Sequence, residues 1–424
     1  MNSNKTFLKI SNMLCDTYKL SEYNIYLDEE KGLVYNTVSG NIAAFDNKII
    51  DNTILNDCIE NGFVIKKEEN ELNTLKKEYD CREELSDTFH LIIAVTLDCQ
   101  FRCFYCYEEH PKIYMKDDVK KSLVDLINKK ATEGKNISIV WYGGEPLLDY
   151  ETVSSLTNDF IKICDINNVE YTASMITNGY LFDDYIISKI DDMCIKSIQI
   201  TLDGMKDMHE KRRPQIDGKP SFDKIVENII KLDKKTHTCV KLRINADKTN
   251  INDAYKLIDY CKNKDLCDID VTLGMMKAFG CDHSCAACTE NLFSMKEFSE
   301  EFLKFRNYLK ISGFEKAVEK MFPEYKVNTC TMDAPDAYVV DPEGYMYKCI
   351  SLVGNTDKSI GNIKESFDES AHNTYNPFLS KVCCECIYFP VCKGGCLRNN
   401  SNGSRECNIW RFITEKLVNT LLDE

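Results

Sequence analysis

Between Leu91 and about Phe279, short apolar runs alternate with amphipathic segments, the pattern of parallel β/α units. Six of the runs read as strands: Leu91 to Leu97, Ile137 to Tyr142, Thr172 to Thr177, Ser197 to Leu202, Val240 to Ala246 and Asp270 to Met275. The segments between them repeat apolar residues at helical spacing. Val119, Leu123, Leu126 and Ile127 fall on one face, and Ile225, Ile229 and Leu232 on another. Six such units predict an α/β fold with a partial (β/α)6 barrel, and in such folds the chemistry gathers at the C-terminal ends of the strands.

The flanks follow other rules. Residues 1–90 read as a small N-terminal α+β module, with strand-like runs at Tyr23 to Leu27, Leu33 to Thr37 and Asn41 to Phe45. The turn-rich stretch Asp28 to Gly32 predicts a hairpin between the first two, and a polar helical segment, Glu68 to Tyr79, leads onward. Residues 280–325 form a bridging region. Residues 326–424 have short strand-like pieces and many turns; this part is expected to stand apart from the barrel rather than continue it.

Composition changes the picture at one point. The chain has 424 residues, 43% of them hydrophobic, enough for a large core, and its net charge of −15 includes no basic stripe that could neutralise phosphates. No nucleic acid is expected as partner. With no apolar run long enough for a membrane span and no basic-then-apolar N-terminus, the expectation is a cytoplasmic protein with no membrane partner. The outlier is 22 cysteines. A reducing compartment argues against disulfides, so metal ligation is the leading explanation. Cys58, Cys164, Cys194, Cys239, Cys261 and Cys267 stand alone or in helix-like patterns and read as small buried hydrophobes.

Directly after the first barrel strand come Cys99, Cys103 and Cys106, spaced C-x3-C-x2-C. Three thiolates ligate three irons of a [4Fe–4S] cube and leave the fourth iron open to a small molecule. Zinc is the competing ligand, but a structural zinc site closes its shell with a fourth protein group. No fourth Cys or His lies inside this loop, although His110 is close.

These residues resemble the radical S-adenosylmethionine (SAM) superfamily, and later strands supply matching pieces. Gly143, Gly144, Glu145 and Pro146 follow the second strand, where the family holds the amino group of SAM. Tyr105 occupies the position that contacts adenine, Thr201 matches the ribose-contacting hydroxyl, and Arg213 matches the carboxylate-binding arginine. Taken singly, Tyr105 reads as core, Thr201 as a strand residue and Arg213 as a solvated charge; their joint order favours the family reading. The resemblance implies reductive cleavage of SAM to a 5′-deoxyadenosyl radical at the catalytic [4Fe–4S] cluster, fed by an electron donor such as flavodoxin or ferredoxin.

Near the end of the chain, Cys383, Cys386, Cys392 and Cys396 are preceded by Cys330 and Cys349 and followed by Cys407. This order resembles the SPASM domain of peptide-modifying members, which carries two auxiliary clusters. The resemblance assigns Cys383, Cys386, Cys392 and Cys407 to one cluster and Cys330, Cys349 and Cys396 to the other, one thiol short. In the sulfatase-maturing branch a further Cys stands where this chain has Glu324. Cys281, Cys285 and Cys288 could complete the set, and Cys384 reads as a free neighbour. That branch also places an Asp proton acceptor where this chain has Ile350. The implied function is therefore oxidative modification of a ribosomally made precursor peptide, by a thioether or carbon–carbon cross-link, with the N-terminal module as a peptide-recognition domain or an ordinary packing module. Formylglycine formation and a non-catalytic iron–sulfur or zinc scaffold remain alternatives. The catalytic acid–base residue is not assigned.

Overall fold

The computed structural model describes residues 17–28, 32–44, 52–277, 290–400 and 406–420. Its centre is an eight-stranded sheet. Six parallel strands run in sequence order: β6 (Thr88–Ala94), β7 (Asn136–Tyr142), β8 (Tyr171–Thr177), β9 (Ile195–Thr201), β10 (Cys239–Ala246) and β11 (Asp270–Met275). Helices connect consecutive strands, so the sheet is the partial barrel that the alternation predicts. Strand burial alternates: Val240, Leu242, Ile244 and Ala246 of β10 enter the main core, while Arg243 and Asn245 lie on the other face. That second face is where the polar chemistry gathers.

The remaining two strands correct the expectation that the C-terminal region stands apart from the barrel. β12 (Ala337–Val340) pairs in parallel with β6, and β13 (Met346–Tyr347) pairs antiparallel with β12. Without them β6 would be a bare edge beside the thiol-bearing loop. The signal is easily missed because β12 is only four residues long, all buried, and therefore shows no alternation. Lys348 pins the start of this strand, its buried ammonium donating to the carbonyls of Ala334 and Ala337 at 2.6 Å each.

From residue 290 on, the described part of the bridging region contributes to the core. A capping box between Ser294 and Glu297 opens the helix Met295–Ser312, whose Phe298, Phe302, Phe305 and Leu309 join the main core. Cys281, Cys285 and Cys288 lie outside the described residues.

The N-terminal hairpin forms as expected, β2 (Asn24–Asp28) against β3 (Leu33–Asn36), with β4 (Ile42–Ala44) as a third strand. A further pair, β1 (Tyr18–Leu20) with β5 (Val64–Lys66), and the helix Asn52–Glu60 complete the module. The polar helix spans Glu71–Asp80, capped by Asn70. The module packs on the C-terminal and bridging regions: Tyr23 and Leu75 cluster with Phe389, and Tyr35 donates to the Pro323 carbonyl at 3.0 Å. Thr37 donates to the Ile387 carbonyl at 2.8 Å.

Candidate active site at the C-terminal ends of the strands

The loops after β6 and β7 touch backbone to backbone. Gly144 N–H donates to the Thr96 carbonyl and Glu145 N–H to the Asp98 carbonyl, each at 2.9 Å. A Cβ at Gly143 would sit 2.3 Å from the Thr96 oxygen, and one at Gly144 would sit 2.3 Å from the Asp98 oxygen. Only glycine permits this approach. The two glycines therefore set the backbone immediately before Cys99.

Glu145, fully buried, ties the next loop in. Its Oε1 accepts from the Thr177 hydroxyl at 2.7 Å and Leu147 N–H at 3.0 Å, and its Oε2 accepts from Asn178 N–H at 2.7 Å. A carboxylate offers about four acceptor positions, so one remains for a ligand. Burial pushes this carboxyl upward and the three hydrogen bonds pull it back.

On the far side, Arg213 ends the helix Lys206–Arg212 and donates to the Tyr105 hydroxyl at 2.6 Å, which also accepts from Asn245 Nδ2 at 3.2 Å. Asn245 N–H in turn donates to Asp203 Oδ1 at 2.9 Å. Thr201 closes β9, level with Arg243 on β10. Thus Tyr105 and Arg213 are joined directly, and neither is the ordinary core or solvated residue that each suggests alone. Arg213 Nε and Asp203 Oδ2 are buried without a hydrogen-bond partner among the described residues. A buried guanidinium donor left open fits an anionic ligand group.

Cys99 is buried, and Cys103 and Cys106 are partly so. Burial pushes all three thiols up, Cys106 to about 12, so as bare thiolates they would be costly; bonding to iron offsets that cost. Among the described residues no three Cys, His, Asp or Glu side chains converge on a single-ion point. A cube of irons spreads its thiolates over separate corners, so the residues present fit a cluster.

Residues 93–266 match the family model for the radical SAM superfamily. The chain carries a radical SAM domain. Its relatives include a cysteine-type anaerobic sulfatase-maturating enzyme of Clostridium perfringens, 26% identical over 73% of this chain and 88% of that one. The radical SAM cyclopropyl synthase TigE of Paramaledivibacter caminithermalis is 22% identical over 98% of this chain and 93% of its own. Among solved structures, anSMEcpe with bound AdoMet and the Cp18Cys peptide superposes with a TM-score of 0.61 at 17% identity, covering 80% of this chain and 100% of that one. Streptococcus suis SuiB bound to precursor peptide SuiA gives 0.55 at 13% identity, over 92% and 98%. The cysteine-rich C-terminal region fits a SPASM domain. Among the described residues no helix is long and apolar enough to cross a membrane.

Beyond the radical SAM loop, the C-terminal cysteines fall into two neighbourhoods. The thiol of Cys330, pushed up to about 11 chiefly by burial, also feels Cys349 and Cys396, whereas Cys392 feels Cys407 and Cys383. Arg411 donates to Cys407 Sγ at 3.1 Å and lies near Cys386. Cys384 contacts the Phe378 carbonyl at 3.3 Å. Of the residues read as bland, Cys58, Cys164 and Cys261 are buried, and Cys194, Cys239 and Cys267 are partly so. Between the two ends lies a cavity of about 460 Å³, lined by Tyr107, Glu108 and His110 from the first loop and by Ser351, Asn355 and Arg398 from the C-terminal region. Cys349 Sγ is 3.1 Å from the Ser351 hydroxyl, so this cavity reaches from the loop after β6 toward the Cys330, Cys349 and Cys396 neighbourhood. Burial pushes the Glu108 carboxyl in its wall up to about 7.

Sequence reasoning missed Asn178, Asp203 and Asn245. Asn178 follows β8 directly and Asn245 is the penultimate residue of β10, so reading every strand end for polar residues would have found both.

Proposed function

We propose that this radical SAM protein oxidatively modifies a ribosomally made peptide, forming a thioether or carbon–carbon cross-link. The observation that carries the reading is the cavity between Tyr107, Glu108 and His110 on one side and Ser351 beside Cys349 on the other. A substrate held there would face the catalytic loop and the second thiol set together. SAM bound to the cluster supplies the 5′-deoxyadenosyl radical that removes hydrogen from carbon. In this reading Cys99, Cys103 and Cys106 hold the catalytic [4Fe–4S] cluster. Gly143 and Gly144 fix the loop, Glu145 offers its free acceptor to the SAM amino group, and Arg213 offers Nε to the carboxylate. Tyr105 and Thr201 flank the adenosine. Cys383, Cys386, Cys392 and Cys407 hold one auxiliary cluster, and Cys330, Cys349 and Cys396 hold the other. The chain divides into an N-terminal module to residue 90, a radical SAM barrel over 91–279, a bridging stretch to 325 and the SPASM region beyond. A small redox protein such as flavodoxin or ferredoxin supplies the electron.

Formylglycine formation is the second reading, supported by the sulfatase-maturating relatives at similar identity. Ile350 and Glu324 stand where that branch has an Asp and a Cys, which favours cross-linking. The test is anaerobic incubation of the reduced, reconstituted protein with SAM and cysteine-containing precursor peptides. Cross-linking removes two hydrogens and keeps the sulfur, with one alkylatable thiol fewer in a thioether product. A product that has lost the sulfur would overturn this reading in favour of formylglycine.

A further inference from the structure

We infer that Asn178 is a positioning residue that sets the reduction potential of the catalytic cluster by donating a hydrogen bond to Cys99, while its backbone orients the SAM-facing carboxylate of Glu145. The inference rests on the assignment of Cys99 as a cluster ligand.

Asn178 is 5% exposed and lies directly after β8. Its side-chain amide has a defined orientation, because Oδ1 accepts from the backbone N–H of Tyr180 at 2.9 Å, and an NH2 group could not accept that hydrogen. The opposite end must then be the donor, and Nδ2 faces Cys99 Sγ at 3.9 Å. Gln100 Nε2 approaches the same Oδ1 at 3.4 Å, which reinforces the orientation. The backbone N–H of Asn178 meanwhile donates to Glu145 Oε2 at 2.7 Å. One residue thus touches a cluster thiol through its side chain and the candidate SAM carboxylate through its backbone.

Hydrogen bonds to cluster sulfurs are a principal lever on reduction potential. A donor at the Cys99 sulfur stabilises the electron-rich reduced cluster more than the oxidised one, and so raises the potential. Among the described residues Cys99 Sγ also accepts from the Phe101 backbone N–H at 3.4 Å, which a side-chain substitution at 178 leaves in place.

The test is an EPR-monitored redox titration of the SAM-free, reconstituted protein and of Asn178→Asp. The variant keeps the Oδ acceptor for Tyr180 but replaces the donor with a charged oxygen, so the uncharged Asn178→Ser, which also lacks the amide donor, is titrated beside it and must shift in the same direction. The expected result is a tenfold shift of the oxidised-to-reduced ratio toward oxidised at fixed poise, a drop of about 59 mV for a one-electron couple. If Asn178→Asp takes up less iron than the parent, the titration is read on Asn178→Ser, with a smaller drop in the same direction. An unchanged potential in a fully loaded variant overturns the inference. Absence of any reducible [4Fe–4S] signal in the parent protein would instead overturn the cluster assignment itself.

Discussion

The guanidinium of Arg213 reaches from the end of its helix to the hydroxyl of Tyr105 at 2.6 Å, joining two positions separated by 108 residues in the chain. The contact fixes the aromatic ring that lies between Cys103 and Cys106 and leaves Arg213 Nε open in a buried setting. Removing the arginine should therefore weaken SAM binding rather than merely alter the surface. Arg213→Ala is expected to reduce SAM affinity at least tenfold, in keeping with about 1.5–3 kcal/mol for a charge-assisted hydrogen bond. Arg213→Lys should fall between the two, since it keeps the charge and loses the fork. Equilibrium binding of SAM to iron-loaded protein measures both.

Gly144 carries a steric prediction. An alanine Cβ would meet the Asp98 oxygen at 2.3 Å and the Leu97 oxygen at 2.6 Å, both backbone atoms that cannot swing aside. Gly144→Ala is expected to cost about 1–3 kcal/mol, as overpacking does, and to displace the turn before Cys99. Thermal unfolding and iron uptake during reconstitution should both fall. Normal stability with full iron uptake would refute the close-approach argument.

How far the fold was legible in the sequence depends on where periodicity survives. The six strands β6 to β11 announced themselves through apolar runs separated by helices with clear faces, such as Val119, Leu123, Leu126 and Ile127. β12 did not, because a short strand buried on both sides carries no alternation and its partner β6 lies far away in sequence. The candidate site divides the same way. Cysteine spacing and the Gly-Gly-Glu run are local and visible. Asn178, Asp203 and Asn245 act through contacts between different strand ends, and only the position of Asn178 and Asn245 at the ends of β8 and β10 marks them in the sequence.

His209 gives a pH dependence. It is fully buried, its Nε2 lies 3.1 Å from the Ser221 hydroxyl, and burial, with Arg213 nearby, holds its pKa well below the usual histidine value. Above pH of about 6.5 folded and unfolded chains both keep this imidazole neutral, so it has no effect on stability. Below that, the unfolded chain takes up the proton first, and stability falls by about 1.4 kcal/mol per pH unit until the folded pKa is reached. Thermal unfolding between pH 7.5 and 5.5 should show this slope, and His209→Gln should flatten it. Equal slopes in the two proteins would exclude His209 as the source.

The second thiol neighbourhood predicts a separable iron site. Cys349→Ala is expected to lower the iron content by about four per chain and to leave the SAM-dependent change in the EPR signal of the catalytic cluster intact. Loss of that change along with the iron would mean that the two sites are not independent.

The central claim is that Cys99, Cys103 and Cys106 carry a cluster that cleaves SAM. The most direct measurement is the yield of 5′-deoxyadenosine from SAM with anaerobically reconstituted, dithionite-reduced protein, alongside Cys103→Ala. The account predicts 5′-deoxyadenosine from the parent protein and none above background from the variant, while the iron at Cys330, Cys349, Cys383, Cys386, Cys392, Cys396 and Cys407 is retained. A fully iron-loaded, reduced protein that forms no 5′-deoxyadenosine, or a variant that forms as much as the parent, would contradict it.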